Sequence, residues 1–554
     1  MAPVVMNLNE WEEQLKLIEH PQQQLILDYL INGVDIGIQT NHNQPRFCAN
    51  LISAQGELNQ AKIQEEMEKE TNLDRRAGPF NKIPFFNFQV SPIGTVPKNR
   101  SSTKLRVIHH LSYPRTLSNT SINSQIKDID CDYLAFNTVC KQIVLMGKGC
   151  LLSKFDINEA FKYIRVRKDQ HYCLGMRFNG LYYYERVLPF GLKSAPALFE
   201  LFATAINRFI TMAGVAYIYH YMDDFICVSE PQSALKDYDI TLQMFSKLNI
   251  ALSPDKLQAP STRIEFLGLV IDTTLMEIQL PVEKLNRYRT ELEEWRDKTE
   301  ANKIELQSLL GKLVHASRAI NHGRSFYQHL LEALRDYNNN NYYDDKTQIK
   351  LTPYTRSDIK WWYQFIHTWN GIGLIPPVLS DYQLQEQHQL YTDACQTGMG
   401  AFFAGKQYTL HSWDTNELKR ALRKQTISMP YLELLSLIHS INIWKDELKG
   451  KALILHCDCK PVVDAINTGR SYEAHMMDLL RTFIYIINLN KIFIHCIHIS
   501  GVTNIYADLL SRSTSDQDFL NLPQLIGVPL SRKYIQPLPI QDWSKWPTTI
   551  STIL

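Results

Sequence analysis

The sequence predicts a mixed α/β chain of several domains, and three observations carry that reading. β-rich runs alternate with helical segments between about 145 and 275, and an α/β pattern returns from about Gln389 to Arg512. The 554 residues suggest three or four domains at roughly 150 residues each, every one able to bury its own core. Between the two α/β stretches, DYNNNNYYDDK is polar and rich in Asn and Asp, which reads as a linker.

Composition narrows the class. Lys and Arg total 58 against 57 Asp and Glu, a formal charge of +1. That balance excludes a uniformly basic nucleic-acid coat and an acidic tail but leaves room for a local basic channel. Hydrophobic residues at 45% and charged residues at 21% describe a globular chain. No apolar run reaches the ~18 residues that span a bilayer, since Arg481, Asn488, Asn490 and Lys491 interrupt Leu479 to Ile499. MAPVVMNLNEWEEQ has neither a basic nor an apolar leader region. Ten cysteines without a framework spacing suit a reducing compartment. The expectation is a soluble intracellular protein, cytoplasmic or nuclear, with no membrane partner.

Taken in order, residues 1–75 read as a helical extension. Trp11, Leu15, Leu17 and Ile18 form an amphipathic face there, and QEEMEKETNLDRR is a solvated charge run. From Gly78, GPFNKIPFFNFQVSPIGTVPK turns to Pro, Gly and aromatics, as short strands and turns do. CLLSKFD reads as a buried strand and AYIYHYMDDFICVS as a hairpin. Pro281 to Tyr337 is helical, with Leu306, Leu309, Leu310, Leu313 and Ala316 on one face. The tail after Arg512 shows no convincing period.

The acids within these elements carry the chemistry. FDINEAF sets Asp156 at the end of an apolar strand, and YMDD sets Asp223 and Asp224 at the hairpin tip. Read alone, the hairpin acids are either a polar turn or half of a cation site. If the strand lies beside the hairpin, three carboxylates converge and can hold two Mg²⁺ ions. LPFGLKSAPALF follows the pattern of a helix start, with Gly191 and Pro196 bracketing it.

In this order the segments resemble a reverse transcriptase palm. FDINEAF is similar to its first catalytic motif, LPFGLKSAP to its second, YMDD to its third and SPDK, with Lys256, to its fourth; FLG at Phe266 to Gly268 is similar to the primer grip. The resemblance implies that Asp156, Asp223 and Asp224 are metal ligands. Phe161 would be the steric gate beneath the sugar, and Phe190 stands where retroviral enzymes carry Gln. KLRVIHHLS resembles the fingers strand, aiming Arg106 and Lys98 at the triphosphate. His110 occupies a position where related enzymes often have Asp.

A second set of acids follows. YTDACQTGMGAFFAG places Asp393 in a strand, with Gly398 and Gly400 at a turn. SMPYLELLSLIHSINIW is a helix with Ser428 as N-cap, Pro430 in its first turn and Glu433 beyond it. LILHCDCKPVVDAIN ends a strand at Asp458, and HISGVTNIYADLLSRS puts Asp508 on a closing helix. Asp, Glu, Asp and Asp in that order resemble the ribonuclease H domain, which implies that Asp393, Glu433, Asp458 and Asp508 hold a second pair of Mg²⁺ ions, with Mn²⁺ an alternative. His498, ten residues before Asp508, is either the mobile histidine of some ribonucleases H or, the favoured reading, a structural residue on a strand leaving the core. Cys457, Cys459 and His456 lack a second ligand pair at zinc-like spacing and read as packing.

The fold so implied is a right-hand polymerase followed by a ribonuclease H-like α/β domain: fingers and palm at 76–272, thumb at 273–340, connection at 341–388, nuclease at 389–515 and a tail at 516–554. Lys303, Lys312, Arg318 and Arg324 would contact phosphates from the thumb, and Trp361 and Trp362 would pack the connection. The phrases KLRVIHHLSYP, LQSLLGKLVHASRAINHGRSF, DIKWWYQFIHTWNG and NIYADLLSRS are similar to DIRS-type retrotransposons, which encode tyrosine recombinases. Too few residues follow Arg512 for a recombinase or a protease. The implied partners are an RNA template, a DNA primer, RNA–DNA hybrid, deoxynucleoside triphosphates and a tyrosine recombinase of the same element. Two rival functions are a silent hybrid-binding scaffold and a hybrid nuclease with an inactive polymerase.

Overall fold

The computed structural model describes residues 6–18, 21–40, 42–97, 105–114, 121–131, 133–339, 346–377, 385–413, 428–471 and 473–534. They form a mixed α/β structure of two compact units, residues 1–142 with 149–267 and residues 143–148 with 268–554.

In the first unit the N-terminal segment is part of the core. Asn7 caps the Leu8–Leu17 helix, its side chain accepting from the Glu10 N–H. Trp11 packs edge-on against Phe202 and Phe209 at 5.8 and 5.3 Å. Trp11, Leu15 and Ile18 are buried, whereas Leu17 is 64% exposed. The expected face is therefore corrected: at 100° per residue positions 11, 15 and 18 share a stripe, and position 17 lies about 120° away. The charge run also differs from expectation. Within the Glu57–Asn72 helix, Ile63, Met67 and Glu70 are buried on one face.

Two sheets build this unit. One orders the strands Arg46–Phe47, Gln89–Val90, Gly175–Phe178, Leu181–Glu185 and Arg76–Phe80. The other places Leu151–Asp156 between Asp224–Ser229 and Gln258–Ser261, both antiparallel to it. Phe155 and Phe225 are fully buried beneath this second sheet and pack against Phe245. The Ala195–Met212 helix, with Pro196 in its first turn, covers the same core. Ile93–Pro97 and Leu105–His109 form a separate antiparallel ribbon.

In the second unit, helices Val282–Trp295, Lys303–Ser317, Gln328–Asn339 and Pro353–Thr368 precede a six-stranded sheet. Asn302 and Glu305 form a capping box on the Lys303–Ser317 helix, whose five expected apolar positions are all buried. The expected linker begins as the last turn of Gln328–Asn339, where Tyr337 is buried; residues 340–345 lie outside the described residues. Trp361 and Trp362 are buried, and Trp361 stacks on Phe326 and, at 4.6 Å, on Phe365. Lys312 donates to Glu291 and Ser308, so the acid beside it already engages that cation, while Arg318 and Arg324 are exposed.

The six-stranded sheet runs Phe493–His498, Ala452–Cys457, Gln389–Ala394, Gly398–Phe403, Gln407–Ser412 and Ser531–Arg532. Its first three strands are parallel and the next two antiparallel. The last strand belongs to the expected tail. Phe519 is buried there and Tyr408 donates to Asp516, so residues to 534 continue the unit built on this sheet. Among the described residues no helix is long and apolar enough to cross a membrane.

Candidate active sites

Asp156 ends its strand directly opposite Asp224. Opposed residues of an antiparallel pair stand about 5 Å apart at Cβ, which brings the two carboxylates together. Asp223 occupies the turn before Asp224, after Met222 in a left-handed conformation (φ 52°), and its carbonyl accepts the Ile157 N–H at 3.0 Å. The three acids expected to converge are thus brought to one point.

Two lysines border them. Lys256 Nζ donates to Asp156 at 2.7 Å, and Ser253 Oγ donates to the other carboxylate oxygen at 2.7 Å. Lys154 Nζ stands 3.2 Å from Asp224. Burial raises the Asp156 carboxyl, but Lys256 and Ser253 outweigh it and hold it below the usual range. Burial pushes Asp224 up to about 6, with Lys154 opposing, and also raises Asp223. Asp224 Oδ1 is buried and faces Lys154 Nζ, with no aligned hydrogen bond among the described residues. Carboxylates held together in this state suit hard divalent cations.

A cleft of about 780 Å³ opens over Asp156 and Asp223. Lys62, Lys69, Arg106 and Lys162 line it together with Glu66, Glu159 and Glu185, beside Phe190 and Lys256. Arg106 is exposed on its strand, and Lys98 lies outside the described residues. Phe161 is half-buried between Phe190 and Phe199, at 5.2 and 5.7 Å. Gly191 adopts φ 91°, a conformation that L side chains rarely take, and its carbonyl accepts from Asn123 Nδ2. His110 packs on Tyr113 at 6.0 Å. Phe266 is buried, and the turn after it is left-handed at Leu267 and Gly268.

The second cluster lies on the six-stranded sheet. Asp393 is buried in its strand opposite Gly400. Gly398 and Gly400 sit in the neighbouring strand rather than at a turn. A Cβ on Gly400 would lie 2.4 Å from Leu510 and 2.5 Å from the Ser511 nitrogen. Glycine therefore lets the Ile505–Arg512 helix, which carries Asp508, settle onto the sheet. Ser511, one turn beyond Asp508, donates its hydroxyl to Asp393. Asp508 accepts from Arg512 at 2.7 Å.

Glu433 is buried on the Met429–Leu448 helix. Ser428 occupies the N-cap position, but its hydroxyl donates to Glu473 instead of the helix end. The Glu433, Cys457 and Asp458 ligand atoms lie within 4.8 Å of one another. Burial pushes Glu433 up to about 9, with Asp393 and Asp458 adding to it. Asp393 rises to about 6, from burial and from Asp458 and Asp508 against the Ser511 hydrogen bond. Glu433 Oε2 accepts no hydrogen bond among the described residues. This acid-rich set also fits hard cations.

His498 ends its strand and donates to the Asp458 carbonyl at 3.1 Å. His456 stacks on Tyr391 and bonds Gln389, as a packing residue does. Cys457 is buried and Cys459 half-buried. Lys154, Ser253 and Ser511 were not expected at these sites. Lys154 was legible, since two residues along a strand restore the same face; Ser511 follows Asp508 at helical spacing. Ser253 opens the SPDK segment, but nothing in its local pattern signalled that its hydroxyl meets Asp156.

Residues 96–271 match the family model for reverse transcriptase (RNA-dependent DNA polymerase). They are similar to reverse transcriptases. Among curated relatives, the transposon Tf2-3 polyprotein of Schizosaccharomyces pombe (strain 972 / ATCC 24843) is 24% identical over 312 residues, 54% of this chain and 21% of that protein. The Tf2-7 polyprotein is 23% identical over the same length. The chain thus spans about a fifth of the length of the curated relatives it matches. Similar solved structures include the foamy viral protease-reverse transcriptase with dsDNA, at 14% identity and TM-score 0.46, covering 90% of this chain and 98% of that one. The same protein with RNA/DNA hybrid gives 14% identity and TM-score 0.45, covering 90% and 64%.

Proposed function

We propose that this chain is the reverse transcriptase and ribonuclease H part of a retrotransposon, copying RNA and DNA templates into DNA and hydrolysing the RNA of the hybrid. One observation carries the polymerase half: within the segment similar to reverse transcriptases, Asp156 and Asp223 open into a cleft of mixed charge, with Asp224 opposite Asp156 on the neighbouring strand. For the nuclease half, Asp393 on a strand, Asp458 at a strand end, and Glu433 and Asp508 on helices lie close enough that their charges raise the Asp393 and Glu433 carboxyls, and Glu433 Oε2 is buried without a hydrogen bond among the described residues. The phrases similar to DIRS-type elements support that subfamily, and with it a tyrosine recombinase as partner.

The residues divide the work. Lys256 and Ser253 keep Asp156 ionised and oriented. The triphosphate of an incoming deoxynucleotide would lie along Arg106, whose guanidinium favours phosphate. Phe161, braced by Phe190 and Phe199, would exclude a 2′-hydroxyl. Two Mg²⁺ or Mn²⁺ ions at each acid cluster would stabilise the attacking and leaving oxygens of phosphoryl transfer.

The test is Mg²⁺-dependent extension of a labelled DNA primer on an RNA template, beside cleavage of an RNA–DNA hybrid. Asp156→Ala should lose extension alone, and Asp393→Asn cleavage alone. Tight hybrid binding with neither activity would favour the scaffold reading. Cleavage without extension would favour a nuclease with an inactive polymerase.

A further inference from the structure

The Glu57–Asn72 helix lies before the matched segment 96–271, yet it reaches into the cleft through one cluster of charges. At the centre is Glu159, in the turn between Asp156 and Phe161. Its backbone is left-handed, φ 51°, a strained conformation for a non-glycine residue that persists only where surroundings enforce it.

The enforcement is visible. Lys69 Nζ donates to one Glu159 oxygen at 2.7 Å, and Arg75 Nη1 donates to the other at 2.5 Å. Beneath them Glu70 is fully buried. Its carboxylate stands 3.3 Å from Lys162, 3.7 Å from Arg75 and 3.8 Å from Lys69, and it accepts no hydrogen bond among the described residues. The helix and the turn after it thus hold both sides of Phe161: Glu159 through Lys69 on the helix and Arg75 just beyond it, and Lys162 through Glu70 on the helix. Burial raises the Glu159 carboxyl, but Lys69 and Arg75 outweigh it and keep it ionised. Lys69, Glu159 and Lys162 line the same cleft as Asp156 and Phe190.

We infer that the Lys69–Glu159–Arg75 bridges, rooted on Glu70, are a positioning device that sets Phe161 against Asp156 and so governs nucleotide binding and sugar selection. The inference rests on the polymerase reading and adds the N-terminal helix to the nucleotide site. Phe161 follows Glu159 by two residues in this turn, so loosening Glu159 shifts the ring against Phe190 and Phe199 and relative to the acids. The substrate affected is the deoxynucleoside triphosphate; the nucleic-acid duplex is not.

The experiment uses the full chain and measures KM and kcat for a deoxynucleotide and its ribonucleotide counterpart in primer extension. The variants are Lys69→Ala, Lys69→Arg, Lys69→Glu, Glu159→Lys and the double exchange. Lys69 is half-exposed, so its alanine variant retains the fold. Lys69→Ala should raise the deoxynucleotide KM about tenfold and weaken discrimination against ribonucleotides, with kcat within about twofold. Lys69→Arg should retain wild-type values, and the double exchange should recover most of what either charge reversal loses. Unchanged KM and discrimination in Lys69→Ala would overturn the inference. So would charge reversals that lower thermal stability and kcat together with no recovery in the double exchange. Absence of extension in the wild type would instead overturn the polymerase reading, and this inference with it.

Discussion

Replacing Glu433 by Gln should stabilise the metal-free second unit by about 3 kcal/mol at pH 7. The argument follows from where the carboxyl sits. Glu433 is 5% exposed, and burial together with Asp393 and Asp458 lifts its pKa from 4.5 to about 9. At pH 7 the unfolded chain releases that proton while the folded chain keeps it, so folding carries a proton uptake that Gln does not need. The cost is about 1.36 kcal/mol for each pH unit above 4.5. For a raised carboxyl, wild-type stability relative to the variant falls as pH climbs from about 4.5 to about 9, then levels.

The assay is calorimetric unfolding in EDTA from pH 5 to 9. For a unit larger than 250 residues about 3 kcal/mol corresponds to a Tm rise of roughly 4–6 °C at pH 7, with the gap narrowing toward pH 5. Added Mg²⁺ should reverse the ranking, because ions that bind only the folded wild type stabilise it by mass action. A Tm difference that does not change with pH, or a variant less stable than wild type in EDTA, would refute the reasoning. Hybrid cleavage should be lost in the variant at every pH.

Three further outcomes follow from the same geometry. Asp223→Asn should abolish primer extension while hybrid affinity, read by fluorescence anisotropy, stays within about twofold, because the cleft cations remain. Phe161→Ala should raise ribonucleotide incorporation by at least about tenfold in a misincorporation assay; unchanged discrimination would return the ring to a packing role. Asp358→Ala should destabilise the second unit by about 3–5 kcal/mol in thermal unfolding, since it leaves Arg481 buried without the carboxylate it pairs with. His329, which also bonds Asp358, loses its partner in that variant.

Much of the candidate chemistry was legible locally. Asp156 closes an apolar run, Asp223 and Asp224 sit between two strand-like runs, and the Leu306 to Ala316 face follows helical spacing; each pattern involves neighbours within a few residues. Leu17 was misplaced because apolar character, rather than angle around the helix, assigned it to the buried face. The glycines at 398 and 400 read as a turn because turns are their commonest use, whereas the approach of the Ile505–Arg512 helix is what demands them.

Residue type and local period therefore determine which acids end strands, which helices carry a buried stripe and where the chain turns. What they do not encode is which distant cation or hydroxyl meets each acid. Glu159 finds Lys69 across 90 residues, Asp156 finds Lys256 across 100, and Asp393 finds Ser511 across 118. Such pairs form only when sheets and helices pack, because Coulomb and hydrogen-bond terms act over a few ångströms in space and are indifferent to separation along the chain. The protonation of Glu433 has the same origin: in sequence it is an ordinary glutamate, and only burial beside Asp393 and Asp458 makes its charge costly.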